Sequence, residues 1–74
     1  MADKEKIKLI IRRSVKPGKV ITEAQVIQIS DKIINRGRVD ESFVKIAANE
    51  VVRDSEALTL NAIDMSDINN ELQK

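Results

Sequence analysis

The chain has 74 residues, of which 13 are basic and 12 acidic, and it contains neither cysteine nor histidine. Without thiols and imidazoles it lacks disulfides, the usual zinc and haem ligands, and the general base of a serine or cysteine triad. We therefore predict a protein that is not an enzyme and that uses no cofactor, no metal and no small-molecule substrate.

The length leaves room for one hydrophobic core, so residues 1–74 are predicted to form a single helical domain whose termini fray. A hydrophobic share of 42% favours a folded chain over a disordered one. No apolar run approaches the roughly 20 residues that span a membrane. We expect a cytoplasmic protein that makes no membrane contact.

The first segment is predicted to be a helix over about 3–14. Ile7, Ile10 and Ile11 share one helical face there, and the acids at the start and the arginines at the end suit the helix dipole. The alternative is a β-hairpin over 6–22, packed on two or three helices. Side chains of alternating polarity and the turn-forming pair Pro17-Gly18 favour that alternative.

The next two helices have clearer boundaries. Thr22 followed by Gln25 is typical of a capping box, and Gly37 is a stop signal, so a helix is predicted over 22–36. Asp40 is the expected N-cap of a third helix over 40–54. Its only aromatic residue, Phe43, lies on the apolar face and is predicted to belong to the core.

The last stretch carries weaker signals. Ser55 is a possible cap for a short helix near 58–63, and a terminal helix is predicted over 65–73, where Met65, Ile68 and Leu72 share a face. The predicted fold class is therefore all-α, a small compact bundle of three to four short helices.

Charge is unevenly distributed along the chain. Residues 1–19 hold seven basic and two acidic side chains, whereas residues 39–74 hold three basic and eight acidic ones. Clustered lysine and arginine attract phosphates, and a solvated face or charge pairing within the fold is the alternative explanation. Nine side chains are predicted to form the binding surface: Lys6, Lys8, Arg12, Arg13, Lys16, Lys19, Lys32, Arg36 and Arg38.

This surface predicts a small regulatory module that contacts nucleic acid, or machinery bound to nucleic acid. The alternative is a protein–protein adaptor or inhibitor that uses an acidic partner surface, or a self-assembling homo-oligomer whose oppositely charged ends meet. A helix-turn-helix made of 22–36 and 40–54 is disfavoured, because Asp40 and Glu41 would bring negative charge to the phosphates. Asp64, Asp67 and Glu71 share a helical face, but no glycine-bearing calcium loop accompanies them, so a solvated face is expected.

Overall fold

The structure is a computed structural model, and it describes residues 3–74. Four α-helices follow one another: α1 (Lys4–Arg13), α2 (Glu23–Arg36), α3 (Glu41–Val52) and α4 (Met65–Leu72), with a 3-10 helix at Leu60–Ala62. The predicted all-α class is confirmed. Each observed α-helix lies within two residues of its predicted bounds, and the 3-10 helix lies inside the short helix predicted near 58–63.

Each α-helix begins at a side chain that satisfies one of its free backbone N–H groups. Asp3, Asp40 and Asp64 accept hydrogen bonds from the third residue of α1, α3 and α4, respectively. Thr22 and Gln25 form a complete capping box at α2. At the other end of α2, Gly37 has a φ of 86°, a left-handed conformation in which glycine meets no steric cost.

The alternative of a hairpin over 6–22 is wrong for this chain. Residues 4–13 are helical, with Ile7 and Ile11 fully buried. Only Val15 has a strand-like pairing, in an isolated antiparallel bridge with Leu58 rather than with a neighbouring strand. The helix prevails because Ile7, Ile10 and Ile11 share one helical face and all pack into the core, whereas a strand would place Ile10 on the face opposite Ile7 and Ile11.

The core is aliphatic and is centred on α2, which packs against both α1 and α3. Its buried side chains come from every α-helix and from the segments between them: Ile7, Ile11, Val26, Ile29, Ile33, Val39, Val44, Ala47, Leu58, Ile63 and Ile68. Phe43 packs against this core but stays partly exposed, and the Arg36 guanidinium lies 4.5 Å from the centre of its ring. The prediction of a core position for Phe43 is therefore only partly right.

Two sets of hydrogen bonds help to attach the last part of the chain to earlier segments. The Asn69 side chain of α4 forms a pair of hydrogen bonds with the backbone of Val39, at 2.8 and 2.9 Å. After α3, the backbone of residues 57–59 runs beside residues 14–16: the Lys16 N–H donates to Ala57 and the Thr59 N–H to Ser14. These bonds bring the segment after α3 against the end of α1.

Candidate functional site

The nine predicted binding residues do not form one open basic surface. Six of them are engaged in ion pairs with carboxylates: Lys6, Lys8, Arg12, Lys19, Lys32 and Arg36. Most of these pairs join elements that are distant in sequence. Lys6 and Lys19 pair with carboxylates of the acidic second half, whereas Lys8 and Arg12 pair with carboxylates of the first half. Much of the positive charge predicted to bind a partner is thus compensated within the fold.

The first helix is linked to the last by Lys6. Its ammonium lies 3.1 Å from Asp67 and 3.4 Å from Glu71. The hydrogen bond and charge of Asp67, with a smaller contribution from Glu71, raise the pKa of Lys6. Asp64 caps α4, so the three acids that share a face of this helix all have structural partners. Within residues 3–74, no three Asp or Glu side chains converge to hold a metal ion.

The start of α2 is linked to α1 by Glu23. This carboxylate pairs with both Lys8 and Arg12. Partial desolvation would raise the pKa of Glu23, but the two cations together lower it. Lys8 is the more buried of the two and also pairs with Glu5. Two of the predicted phosphate-binding side chains are therefore occupied at the junction of two helices.

Two further predicted residues lie at the contact between α2 and α3. Lys32 pairs with Glu50 at 2.7 Å, and Arg36 pairs with Asp40 at 3.5 Å while stacking on Phe43. The Phe43 N–H donates to Asp40, and this bond together with the nearby arginine lowers the pKa of that carboxyl. These interactions hold the two helices together.

Lys19 is held by the segment that follows α3. Its ammonium lies 2.8 Å from Asp54, a distance at which each group stabilises the charged form of the other. The pKa of Lys19 is accordingly raised and that of Asp54 lowered. This pair lies next to the backbone bonds that join residues 14–16 to 57–59.

Three predicted residues have no ion pair among residues 3–74: Arg13, Lys16 and Arg38. The same is true of two basic residues that sequence reasoning assigned to the acidic half, Lys45 and Arg53. All five are exposed. Arg38 stands apart from the others, in the loop between α2 and α3, where its carbonyl accepts a hydrogen bond from Arg36.

Lys16 and Lys45 are brought together. Both line one open pocket of about 320 Å³ between the end of α1, α3 and the segment after α3. Arg13 is the last residue of α1 and precedes Lys16 by three positions. We call Arg13, Lys16 and Lys45 the α1-end surface. Lys45 escaped prediction because nothing local in the sequence indicates that its part of α3 faces Lys16.

Exposed apolar side chains are few and scattered. Among residues 3–74, the large ones are Leu9, Val20 and Ile46, with exposures of 42%, 86% and 52%. They belong to α1, to the loop before α2 and to α3, respectively. Single exposed aliphatic residues are normal on a protein surface, so they do not by themselves define an interface.

Comparisons of the chain with protein-family models, with curated proteins and with solved structures found no match. No helix within residues 3–74 is long and apolar enough to cross a membrane. The charges and contacts of the described surface are therefore the evidence for what the protein binds.

Proposed function

We propose that the protein is a non-enzymatic binding module that contacts nucleic acid through the α1-end surface. The observation that supports this proposal is the meeting of Lys16 and Lys45 at one pocket, although most other basic side chains are paired. Compared with the surface predicted from the sequence, the proposed contact is smaller and is centred on fewer residues.

The basic side chains differ in whether a carboxylate pairs with them, and this difference determines how strongly each one attracts a phosphate. A lysine that pairs with a carboxylate also holds that negative charge close to any bound phosphate, so the net attraction of the pair for the phosphate is weak. An unpaired ammonium or guanidinium releases counterions from the nucleic acid without that opposing charge. Arg13, Lys16 and Lys45 form no ion pair among residues 3–74, although Lys16 is close enough to Asp54 to help lower the pKa of that carboxyl. Lys6 and Lys32 are paired.

A pair of matched triple variants tests the proposal. The first carries Arg13→Ala, Lys16→Ala and Lys45→Ala. The control carries Lys4→Ala, Lys32→Ala and Arg36→Ala, which removes the same charge from paired positions. Circular dichroism verifies that both variants fold. Fluorescence anisotropy then compares their affinities for labelled duplex DNA and for single-stranded RNA at low and moderate salt.

We expect the first variant to lose about tenfold or more in affinity, whereas the control loses much less. Equal losses in the two variants would show that binding follows net charge rather than this surface, and would overturn the proposal. The proposal also fails if the unmodified protein binds neither nucleic acid at micromolar concentration and low salt.

Ile46 favours a second candidate function, the binding of another protein. This aliphatic side chain is half exposed in the middle of α3, one helical turn from Phe43 and from Glu50. An aliphatic residue beside a stacked Arg36–Phe43 pair has the composition of a small protein-binding surface. Sedimentation velocity at two salt concentrations tests the self-assembling form, which is excluded if the protein is monomeric in both.

A further inference from the structure

The pocket at the α1-end surface is lined by two lysines together with polar and apolar side chains. It is formed by Lys16 at one side, Lys45 of α3 at another, and the segment after α3. That segment contributes six residues: Ser55, Glu56, Leu58, Thr59, Leu60 and Asn61. A volume of about 320 Å³ lies at the lower end of the range of small-molecule sites.

Five of the polar side chains in this lining can donate hydrogen bonds and have no side-chain partner within residues 3–74. Among residues 3–74, the hydroxyls of Ser55 and Thr59 and the amide of Asn61 form no hydrogen bond with the protein, and neither lysine ammonium forms an ion pair. Two lysines, two residues with a hydroxyl group and one asparagine thus line one open pocket, and the side chain of each can donate hydrogen bonds. This set of donors suits an anion with several acceptor oxygens.

We propose that the pocket binds a terminal phosphate group, that is, a phosphate monoester. Near neutral pH such a group carries a charge of about −1.5 to −2 and has three strong acceptor oxygens. Lys16 and Lys45 match that charge, and the neutral donors of Ser55, Thr59 and Asn61 supply hydrogen bonds to the oxygens. A phosphodiester within a strand, with one charge and two free oxygens, uses only part of this set.

The remaining lining residues define the rest of the ligand. The partly exposed Leu60 contributes apolar surface that fits an organic group attached to the phosphate, whereas Leu58 is 4% exposed and contributes little. Glu56 is a carboxylate in the same lining, and it repels an anion while accepting a hydrogen bond from a hydroxyl or amino group. A nucleotide has a phosphate, hydroxyl groups and an apolar ring face, and therefore matches the whole lining.

The phosphate monoester has two sources, a free nucleotide or the phosphorylated end of a nucleic-acid strand. The second source deepens the proposed function and rests on it. The first stands independently, because the pocket chemistry alone supports it. In either case the pocket binds the phosphate monoester without changing it chemically.

Nuclear magnetic resonance titration of the full chain tests the inference with four probes. These are AMP, adenosine, and one short oligonucleotide prepared with a phosphate or with a hydroxyl at its 5′ end. AMP is expected to shift the backbone amide signals of Lys45, Ser55 and Thr59, and adenosine is expected to leave them unchanged. Lys45→Gln should weaken AMP binding by about tenfold, and Thr59→Val should weaken it to a smaller degree.

Two more variants test the inference: one is expected to tighten AMP binding, and the other is a control. Glu56→Gln removes the repelling charge from the lining and should tighten AMP binding severalfold. Lys32→Gln removes the same charge as Lys45→Gln at a lysine that pairs with Glu50 outside the pocket, and should leave AMP affinity unchanged. Equal effects of the two lysine variants would overturn the inference.

The oligonucleotides separate this inference from the proposed function. Tighter binding of the phosphorylated oligonucleotide, lost in Lys45→Gln, supports a strand end as ligand, and binding of AMP alone supports a free nucleotide. If neither AMP nor the end phosphate has an effect, the inference is overturned, even where both oligonucleotides bind and the proposed function stands. If AMP binds and neither oligonucleotide does, the inference is supported and the proposed function fails.

Discussion

The Lys6 ammonium in α1 lies 3.4 Å from the Glu71 carboxylate in α4, and so joins the first helix of the bundle to the last. The Glu71 carboxylate is almost fully buried, with 4% exposure, and also accepts hydrogen bonds from the Lys74 ammonium and the Asp3 N–H. The Lys74 bond is the main cause of the lowered pKa of Glu71, and the Asp3 and Lys6 bonds add to it against the effect of burial. One carboxylate thus links both ends of the chain.

Replacement of Glu71 by glutamine is expected to lower the melting temperature by several degrees. The amide keeps the shape of the side chain but loses the charge that its three donors stabilise, and its NH₂ group meets donors instead of acceptors. Glu41→Gln is the control, because Glu41 is exposed and forms no ion pair among residues 3–74. Thermal unfolding followed by circular dichroism measures both. Equal melting temperatures for the two variants would contradict the linking role of Glu71.

Stability is expected to be nearly constant between about pH 6 and 9, because the chain has no histidine. Carboxyls whose pKa the fold lowers contribute stability that is present above their ordinary values, 4.5 for Glu71 and 3.8 for Asp54, and that is lost as the pH falls through the lowered pKa. Lysines whose pKa is raised, such as Lys6 and Lys19, contribute below 10.5, and this stability is lost as the pH rises through the raised pKa. Urea denaturation across the pH range measures the profile. A stability change centred near neutral pH would contradict this account.

The salt dependence of nucleic-acid binding is expected to report how many cations take part. For duplex DNA, three phosphate contacts give a slope of about −2.7 in a plot of log affinity against log salt, whereas nine contacts give about −8. The pairing of six predicted residues within the fold leads us to expect the smaller slope. Anisotropy titrations at four or more salt concentrations measure it. A slope near the larger value would mean that the ion pairs open on binding.

Two buried serines are expected to differ in how their replacement by alanine changes stability. The Ser14 hydroxyl donates to the Ile10 carbonyl at 2.6 Å, so Ser14→Ala should destabilise the fold by about 1 kcal/mol. The Ser30 hydroxyl is fully buried in α2 and has no hydrogen-bond partner within residues 3–74, so Ser30→Ala should leave stability unchanged or raise it. Urea denaturation measures the free energy of unfolding of both variants. Greater destabilisation by Ser30→Ala than by Ser14→Ala would refute this assignment.

Arg53 ends α3 in a left-handed conformation, with a φ of 64°, which side chains adopt at a steric cost. Arg53→Gly should therefore raise the melting temperature by a few degrees, because glycine adopts this conformation freely. Arg53→Ala removes the same charge but keeps the Cβ atom, and should give no such gain. If the two variants have the same melting temperature, backbone strain at this position has no measurable effect.

The predictions from sequence succeeded where the signal is local. The Thr22–Gln25 capping box and the Gly37 stop act within one turn of the helix that they bound, so they located α2 closely. The boundary of α3 was less accurate, because its end depends on Arg53 adopting a left-handed conformation, a position at which glycine is the usual signal. The hairpin alternative arose because isoleucines at 7 and 11 fit both periodicities over a short span, and only packing against α2 separates them.

The sequence by itself determined the all-α class, the positions of the helices and the absence of thiol and imidazole chemistry, since these follow from short-range periodicity, capping and composition. It also determined that the first half is basic and the second half acidic. Only the tertiary structure decided what that distribution does. An ion pair such as Lys6–Glu71, or a shared pocket such as that of Lys16 and Lys45, depends on how the helices pack, because its members lie far apart along the chain.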